Sequence, residues 1–352
     1  MRLSVNLVAW NGAKYIPYLM KSLKNQTFKD WFLFVLDNNS TDNTLELIKK
    51  ETVGFPVLVE ILESKINLGF SGGHSLAFSK TESDYVLLLN QDTYLMPDYL
   101  EKLVNFMDAH QDTAAVSGRL MKWNFGAMEE GLEKTFTNQI DSLGFKIFKS
   151  RRVIEIGAGE EWGRDPSTAL SSAQDDVIKP TEVFGVSGTL PVYCRKALQE
   201  VAFADKNIFD SLYGSYKEDV DLAYRFQLQG LKAYFLPEVV GYHDRTTAGP
   251  RTTGDLAAIK NKQTQSPRIA LLSYRNHLMN LYKNEMGQNL LLDFFPIFWY
   301  ELKKFVYYLL FNRAVLGGWV FIWNNKEDLK NKRKALQANK KISWKEFRRW
   351  LS

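Results

Sequence analysis

Apolar runs and helical repeats alternate along the first 120 residues of the chain. Strand-like runs, apolar at nearly every position, occupy residues 3–10, 31–38, 56–63, 84–90 and 114–120. Between them, apolar residues recur at helical spacing in residues 15–23, 44–50 and 99–107. Strands buried on both faces are apolar without alternation, and strands that alternate with helices pair in parallel. This part is therefore predicted to be α/β, with a mostly parallel, Rossmann-like central sheet flanked by helices.

The pattern changes twice beyond residue 120. Residues 121–182 are polar and irregular, which predicts a long excursion with a few short elements. An ordered block follows, with an apolar stretch at 183–194, helical patterns at 195–202 and 218–230, and a strand at 233–243. From residue 269 onward the chain is helical, aromatic and finally basic. We therefore predict an α/β domain over residues 1–255 and a helical extension over residues 256–352.

Charge is unevenly distributed between these two parts. The net charge is +5, but residues 300–352 contain 13 Lys and Arg against 4 Asp and Glu, a net of +9, which leaves −4 for the rest. This basic segment adjoins apolar, aromatic sequence at 289–311, a combination that favours contact with a membrane surface. A solvated helical face, a helical subdomain packed on the first domain and a dimer contact explain the same pattern. The sequence leaves these alternatives open.

Cysteine content and apolar run lengths bear on the compartment. The single cysteine, Cys194, excludes an intramolecular disulfide and fits a reducing compartment. The apolar run at the N-terminus is too short for a signal peptide. No stretch reaches 18 uninterrupted apolar residues, so no membrane-spanning helix is predicted.

Polar or glycine-rich turns follow four successive predicted strands. They are Asn11-Gly12, residues 37–42, residues 67–73 and Asn90-Gln91-Asp92. In a parallel α/β sheet, ligands bind beyond the carboxyl ends of the strands. Helix caps alone explain such residues at a single turn. Four such turns at one edge favour a pocket lined with acceptors and backbone donors.

Known motifs exclude several classes of site. GxGxxG does not follow the first strand and GxxxxGK[ST] is absent, which argues against nicotinamide-binding and P-loop enzymes. One cysteine and four isolated histidines argue against zinc. Asp92 remains, and one carboxylate together with a substrate diphosphate is a common way of holding Mg²⁺ or Mn²⁺. Asp92 also suits a cap of the turn before Pro97, and the two roles are compatible.

A second acidic cluster lies far along the chain. Glu218, Asp219 and Asp221 fall in the first turn of a predicted helix, where acidic side chains are favourable next to the helix dipole. Asp221 and Arg225 are four residues apart and predict a surface ion pair. The dipole explains the Glu218-Asp219 pair, directly after an aromatic and glycine-containing turn, less well.

Eight motifs carry a family resemblance over about residues 1–250. They are LVAWNG (7–12), SLKNQTF (22–28), VLDNNSTDNT (35–44), NLGFSGG (67–73), LLLNQDT (87–93), VSGTLPVYCRKAL (186–198), EDVDLAYRFQLQG (218–230) and PEVVGYHDRT (237–246). In order and spacing they resemble the inverting glycosyltransferases of family 2, particularly their rhamnosyltransferase-like branch. The resemblance implies a GT-A fold for residues 1–255, followed by the helical extension.

The resemblance also implies a donor and metal site. The implied nucleotide-sugar site consists of Ala9, Asn11, Asp37, Asn39, Asn67, Gly73, Asn90, Gln91 and Asp92. Asp37 would read the pyrimidine ring. Asn90-Gln91-Asp92 matches the DxD motif of the family with Asn90 in place of the first aspartate, which leaves Asp92 as the ligand of Mg²⁺ or Mn²⁺. His243 matches a position that can complete the metal shell, with a hydrogen-bonded histidine at a strand end as the alternative.

Catalytic and acceptor residues follow from the same resemblance. Asp219 matches the catalytic base, with Glu218 beside it. Trp162, Arg164 and Gly188 are candidate acceptor contacts. Inverting transfer needs a base for the acceptor proton and separate neutralisation of the leaving diphosphate, which two distant carboxylates can provide.

The implied activity is transfer of a sugar from a dTDP- or UDP-sugar donor to a hydroxyl of a polysaccharide or lipid-linked glycan. The implied sugar is L-rhamnose, from dTDP-L-rhamnose. The expected location is cytoplasmic, peripheral at the inner face of the cell membrane. A homo-oligomer is possible, and no nucleic-acid partner is expected. A nucleotidyltransferase lacks its basic glycine-rich signature here, and a glycosidase does not require the nucleotide pocket. A non-catalytic sugar- or nucleotide-binding module would not require Asp219.

Overall fold

The computed structural model describes residues 1–163, 179–245 and 266–352. Arg164 and the predicted boundary near residue 255 lie outside them. The strands are β1 (Leu3–Ala9), β2 (Trp31–Asp37), β3 (Val59–Glu63), β4 (Tyr85–Asn90), β5 (Thr93–Leu95), β6 (Thr113–Trp123), β7 (Phe136–Ser142), β8 (Phe145–Ile147), β9 (Val153–Glu155), β10 (Thr181–Val183), β11 (Val192–Cys194) and β12 (Lys232–His243). All but β8 and β9 form one sheet, in the order β10-β12-β6-β11-β4-β1-β2-β3, with β5 on β12 and β7 on β6.

Most of the long strands of this sheet run in one direction. β3, β2, β1 and β4 pair in parallel, and β6 pairs with β12 in parallel. The three-residue β11 lies antiparallel between β4 and β6. The predicted mostly parallel sheet is therefore confirmed, with the short β11 as an antiparallel insertion between β4 and β6.

Helices cover both faces of the sheet. The helices of this part are α1 (Ile16–Lys24), α2 (Thr44–Glu51), α3 (Gly69–Lys80), α4 (Tyr99–Ala109), α5 (Leu132–Thr135), α6 (Arg195–Val201) and α7 (Glu218–Leu228). One core contains α1 and α4 against the strands, and a second contains α6 and α7. Residues 67–73 do not form a turn throughout, because Gly69–Gly73 already belong to α3.

The C-terminal part is helical, as predicted. It contains α8 (Pro267–Asn284), α9 (Gly287–Leu292), α10 (Phe294–Phe311), α11 (Gly317–Asn324), α12 (Lys326–Asn339) and α13 (Trp344–Phe347). Among the described residues, no helix combines the length and the hydropathy needed to cross a bilayer. The last helix returns to the α/β part, where Phe347 packs with Phe184 and Tyr224.

Candidate active site

The carboxyl ends of β1, β2 and β4 lie level at one edge of the sheet. Ala9 is paired with Asp37, and Val8 with Asn90, in the parallel register. The Gln91 side chain fastens this edge together, because its amide accepts from Trp10 N at 2.7 Å and donates to Trp10 O at 2.8 Å. The predicted donor-site residues at these three strand ends are therefore neighbours.

Asp37 presents an unused acceptor at this edge. Its Oδ2 accepts from Ser40 N at 3.2 Å, whereas Oδ1 is buried without a partner among the described residues. Asn39 is exposed and left-handed, with φ of 67°. Asn11, also left-handed, accepts from Thr41 N at 2.8 Å and so joins the turns after β1 and β2. A buried, unpaired carboxylate oxygen needs a donor, and a ligand N–H can supply one.

Three other residues of the predicted nucleotide-sugar site make clear structural contacts. Ala9 is fully buried, and its carbonyl accepts from Asn38 N at 2.7 Å. The Asn67 side-chain oxygen accepts from Asn38 Nδ2 and from Gly69 N. At Gly73, an added Cβ would lie 2.8 Å from Val8 Cγ1, so the glycine lets α3 pack closely on β1. These contacts show how the edge is built and leave a donor role for the three residues a prediction.

Asp92 lies directly before β5 and faces His243 at the end of β12, because β5 and β12 pair through Thr93 and His243. Asp92 Oδ2 lies 3.5 Å from His243 Nε2, and Asp141 Oδ2 lies 2.8 Å from the other ring nitrogen, Nδ1. A carboxylate on Nδ1 fixes the tautomer and orientation of a metal-binding imidazole. Asp92 and His243 thus offer one oxygen and one nitrogen to a cation, and this donor pair fits Mn²⁺ when a diphosphate adds further oxygens.

A buried ion cluster surrounds this pair. Arg245 contacts Asp141 and Glu155, both at 3.0 Å. Burial lowers the pKa of His243, but the carboxylates of Asp92 and Asp141 outweigh burial and raise it to about 10. The ring therefore carries a proton between two carboxylates, and a cation would have to replace the proton on Nε2 in order to bind there.

Asp219 lies half-buried at the start of α7, close to the strand edge. Its Oδ2 accepts from Gly188 N at 3.2 Å, and its Oδ1 accepts from Val220 N at 2.8 Å. Thr189, the residue after Gly188, accepts a hydrogen bond from Asn90 N through its carbonyl oxygen at 3.4 Å. The dipeptide Gly188-Thr189 therefore contacts both Asp219 and the end of β4, two residues before Asp92.

Glu218 differs from Asp219 in its environment. It is buried, and its Oε2 has no partner among the described residues. Burial raises the pKa of Glu218 well above its usual value, and the charge of Asp219 raises it further. A carboxyl held neutral is a poor base, so Asp219 is the member of the pair that suits the base role.

The turn before α7 is strained and braced from the C-terminal part. Tyr216 and Lys217 are both left-handed, with φ of 72° and 68°. Asn276 of α8 points its Nδ2 at three carbonyls of the turn, including Tyr216 O at 2.6 Å. Asn280, one helical turn later, donates to Lys217 O at 3.1 Å. Non-glycine residues keep a left-handed conformation where the surrounding contacts hold them in it.

The predicted surface pair of Asp221 and Arg225 is wrong in its location. Both side chains are buried, at 3.0 Å, in a network that the helix periodicity did not show. Lys283 of α8 contacts Asp221 at 2.9 Å and Asp210 at 2.7 Å, and Lys332 of α12 also contacts Asp210 at 2.7 Å. Two lysines more than 60 residues away in sequence thus stabilise the buried carboxylates, as water would stabilise those of a surface pair.

The acceptor candidates are in different situations. Gly188 lies beside the proposed base, and an added Cβ would be 3.4 Å from Asp219 Cβ. Trp162 is partly buried, with the Arg119 guanidinium 4.2 Å from its ring centre and Phe235 at its edge. Its observed contacts are those of packing, and Arg164 lies outside the described residues.

Sequence reasoning missed Asp141, Arg245, Asn276 and Asn280. Arg245 belongs to one of the matching motifs and follows the proposed metal ligand His243 by two residues, which was an available signal. Asp141 lies in the stretch predicted to be irregular and contacts His243 across 102 positions. The two asparagines are polar residues in a helix with no motif around them.

The family profile described as Glycosyl transferase family 2 matches residues 4–201, more than half of the chain. The chain belongs to glycosyltransferase family 2. The match includes the strand edge with Asp37 and Asp92 and ends before Asp219. The rhamnosyltransferase-like branch is not distinguished by this match.

Among curated relatives, the putative glycosyltransferase EpsE of Bacillus subtilis (strain 168) is 26% identical over 126 residues, 36% of this chain and 45% of the relative. The chain spans less than half of the length of the first curated family members that it matches.

Two solved structures share the fold. GalNAc-T7 with UDP, GalNAc and Mn²⁺ has a TM-score of 0.56 at 13% identity, covering 80% of this chain and 48% of that one. Residues 1–349 of S. aureus TarS in complex with UDP-GlcNAc have a TM-score of 0.51 at 15% identity, covering 96% and 91%. At these identities the likeness concerns the fold, and the predicted GT-A fold of this family 2 chain is confirmed.

Proposed function

We propose that this chain is an inverting glycosyltransferase that moves a sugar from a nucleoside diphosphate to an acceptor hydroxyl, with Asp219 as the base. The observation that carries the proposal is the dipeptide 188–189. Its Gly188 N donates a hydrogen bond to Asp219, and its Thr189 carbonyl accepts one from Asn90 N. Asn90 ends the strand that leads to Asp92. A base and a diphosphate site that share one wall can serve the two ends of a single displacement.

In the proposed step, the acceptor oxygen forms a bond to the anomeric carbon from the face opposite the diphosphate. The bond between that carbon and the diphosphate oxygen breaks, and its electron pair leaves with the nucleoside diphosphate. Asp219 takes the acceptor proton. The Gly188 N–H and Val220 N–H bonds hold its two oxygens in place. A positioned base of this kind contributes about 10²–10⁴-fold to a rate.

The proposed site for the nucleotide-sugar donor lies at the carboxyl ends of the strands and consists of Asp37, Asp92 and His243. The free Oδ1 of Asp37 is proposed to accept the ring N–H of a pyrimidine. Asp92 and His243 are proposed to hold a divalent cation, with Asp141 behind the imidazole. The cation would neutralise charge on the leaving diphosphate. The bound UDP and Mn²⁺ of GalNAc-T7 and the bound UDP-GlcNAc of TarS support this class of donor for a chain of the same fold.

The base assignment is tested with Asp219→Asn, whose amide oxygen can still accept from Gly188 N. We expect kcat to fall by about 10²–10⁴-fold, with the Kd for the donor unchanged in calorimetry. The exposed carboxylate of Asp205 provides the matched control, and Asp205→Asn should leave kcat unchanged. Retained turnover in Asp219→Asn would refute the mechanism.

The cation assignment is tested separately by donor binding with Mn²⁺ and with a chelator. Asp92→Ala should weaken donor binding in Mn²⁺ and change it little in the chelator. A binding module without catalysis would show the same metal dependence but no nucleoside diphosphate release. An unchanged metal dependence in Asp92→Ala contradicts the assignment while leaving Asp219 as the base.

The finer proposal is L-rhamnose as the sugar, from dTDP-L-rhamnose, with a polysaccharide or lipid-linked glycan as the acceptor at the inner face of the cell membrane. It rests on the family branch that the motifs resemble. Donor hydrolysis and thermal shift over a panel of dTDP-, UDP- and GDP-sugars, with and without Mn²⁺, decide it. A stronger response to a UDP-hexosamine than to dTDP-L-rhamnose would overturn the rhamnose assignment and leave the enzyme class intact.

A further inference from the structure

Helix α10 differs from an ordinary surface helix, because its exposed side is apolar and it buries charged residues beside Ile297 and Tyr308. Its inward side includes Glu301, which contacts His277 Nε2 of α8 at 2.7 Å, and the buried Lys304, which contacts Glu301 at 3.2 Å. Its outward side is aromatic and aliphatic. Every residue of α10 is described, and Lys303 is the one charged residue among its exposed positions. A helix in water normally presents its apolar stripe to the core.

The same surface continues over the neighbouring helices. Fifteen of the twenty-one exposed large apolar side chains found among the described residues lie between residues 291 and 323, in α9, α10 and α11. Phe295 is 80% exposed, Leu310 66% and Trp323 69%. We call the exposed side chains of residues 291–323 the apolar face. Contiguous apolar surface of this kind marks an interaction site, because water contact with it is unfavourable.

We propose that the apolar face docks on an anionic lipid membrane surface. The inference does not depend on the sugar-transfer chemistry. The apolar face requires a partner that is apolar where it meets the helices and negatively charged near their ends. A bilayer with acidic headgroups has both properties.

The charges around the apolar face select lipid over a second copy of this chain. Arg313 lies two residues after the end of α10, and Lys326, the first residue of α12, has its Nζ 4.2 Å from the centre of the Trp323 ring. The exposed positions of residues 291–326 include three basic residues, Lys303, Arg313 and Lys326, and no acidic residue. A two-fold dimer through the face would bring two such segments together, with mutual repulsion. Acidic headgroups would instead neutralise them, at a gain of about a factor of five for each basic residue near the surface.

The geometry favours a helix that lies in the interface plane. α10 has 18 residues and is therefore about 27 Å long, and its inward side contains the Glu301–Lys304 ion pair. Such a helix can bury one side at the boundary of headgroups and acyl chains without crossing it. Trp299, Trp319 and Trp323 on the apolar face are residues that concentrate at this depth.

The test is flotation of the full chain with vesicles of phosphatidylcholine and of phosphatidylcholine mixed with phosphatidylglycerol. We expect binding to the mixed vesicles, at least about tenfold weaker binding to phosphatidylcholine alone, and weaker binding as salt rises from about 0.1 M to 0.5 M. Equal binding to the two kinds of vesicle would overturn the anionic assignment.

The site is tested with the double variant F295E/L310E. Loss of two apolar side chains should lower vesicle binding by more than about tenfold. The matched control is V53E/L58E, which makes the same change of charge at side chains that are 80% and 62% exposed on the α/β part. It should bind like the wild type, and unchanged binding of F295E/L310E would overturn the proposal.

Two further measurements separate the remaining outcomes. Light scattering after gel filtration reports the oligomeric state. If the wild type is a dimer that does not bind vesicles and F295E/L310E is a monomer, the face belongs to a second copy and the proposal is wrong. If F295E/L310E fails to fold, tryptophan quenching by brominated lipids in the wild type decides. Quenching supports docking, and its absence overturns it.

Discussion

The brace between α8 and the strained turn predicts a catalytic defect at a distance from the substrates. Asn276 Nδ2 lies 3.1 Å from Tyr213 O, 2.9 Å from Ser215 O and 2.6 Å from Tyr216 O. An amide has two hydrogens, so Asn276→Ala removes about two buried hydrogen bonds, roughly 2–3 kcal/mol with the unsatisfied carbonyls. Two left-handed residues store a comparable strain, about 1–3 kcal/mol each. The loss therefore suffices to release the turn.

Release of the turn displaces Asp219 while the donor edge stays as it is. A misplacement of about 1 Å can reduce a rate about 10²-fold. We expect kcat of Asn276→Ala to fall by about 30- to 150-fold, the equivalent of 2–3 kcal/mol, with the donor Kd unchanged. Asn276→Asp should be worse, because it sets an oxygen against three carbonyls. The assay is nucleoside diphosphate release under saturating donor and acceptor, beside calorimetry for the donor.

A matched control lies in the same helical region. Asn325 also donates its amide to a backbone carbonyl, Phe321 O at 2.8 Å, but has no contact with the turn. Asn325→Ala loses one hydrogen bond, about 1 kcal/mol of stability, but should leave kcat unchanged because that bond does not hold the turn. If Asn276→Ala keeps the kcat of the wild type, the brace does not position the base. If donor affinity falls along with kcat, the change is not confined to the base and the positioning argument fails.

Three further predictions concern charges that the structure buries. Asp141→Asn removes the carboxylate behind His243 and should weaken Mn²⁺ binding about 10–100-fold in spin-resonance titration without donor; unchanged affinity would exclude the imidazole as a ligand. Lys283→Met leaves Asp210 and Asp221 short of a cation and should cost about 3–5 kcal/mol of unfolding free energy, measured by denaturant titration, whereas a cost below about 1 kcal/mol would refute the network. Burial raises the pKa of Asp210, but its two lysines outweigh burial and lower it from 3.8 to about 2. The folded pKa is the lower one, so this stability is complete above pH 4 and is lost as pH falls towards 2, by about 2 kcal/mol in all; a stability that is flat across this window contradicts it.

Local pattern was a sufficient guide where one segment determines its own structure. Each of the five apolar runs contains a strand of the sheet, and α1, α2 and α4 begin within one residue of their predicted positions. The third strand starts later, at Val59, so that the first three residues of the predicted run, 56–58, lie outside it. β11 was part of a predicted apolar stretch, but its place between β4 and β6 depends on pairing across more than 70 positions, which no periodicity contains.

The candidate site divides in the same way. Motif order brought Asp37, Asp92 and Asp219 to attention before any geometry was known. The partners that orient such residues come from distant segments, as Asp141 does for His243. Burial was the least predictable property. The spacing of Asp221 and Arg225 is the same on a surface and in a core, and only the approach of Lys283 distinguishes the two.

The helical C-terminal part contributes to both proposals through α8, which lies beyond the residues 4–201 that the family profile matches. One side of α8 holds the turn before Asp219 through Asn276 and Asn280. Another receives α10 through His277 and Glu301. A truncation after α8 would therefore remove the apolar face and, at the same time, expose the buried partners of the helix that braces the base. Loss of activity in such a truncation could not separate docking from catalysis. Substitutions on the outward side of α10 leave the His277–Glu301 contact in place, and so they separate the two.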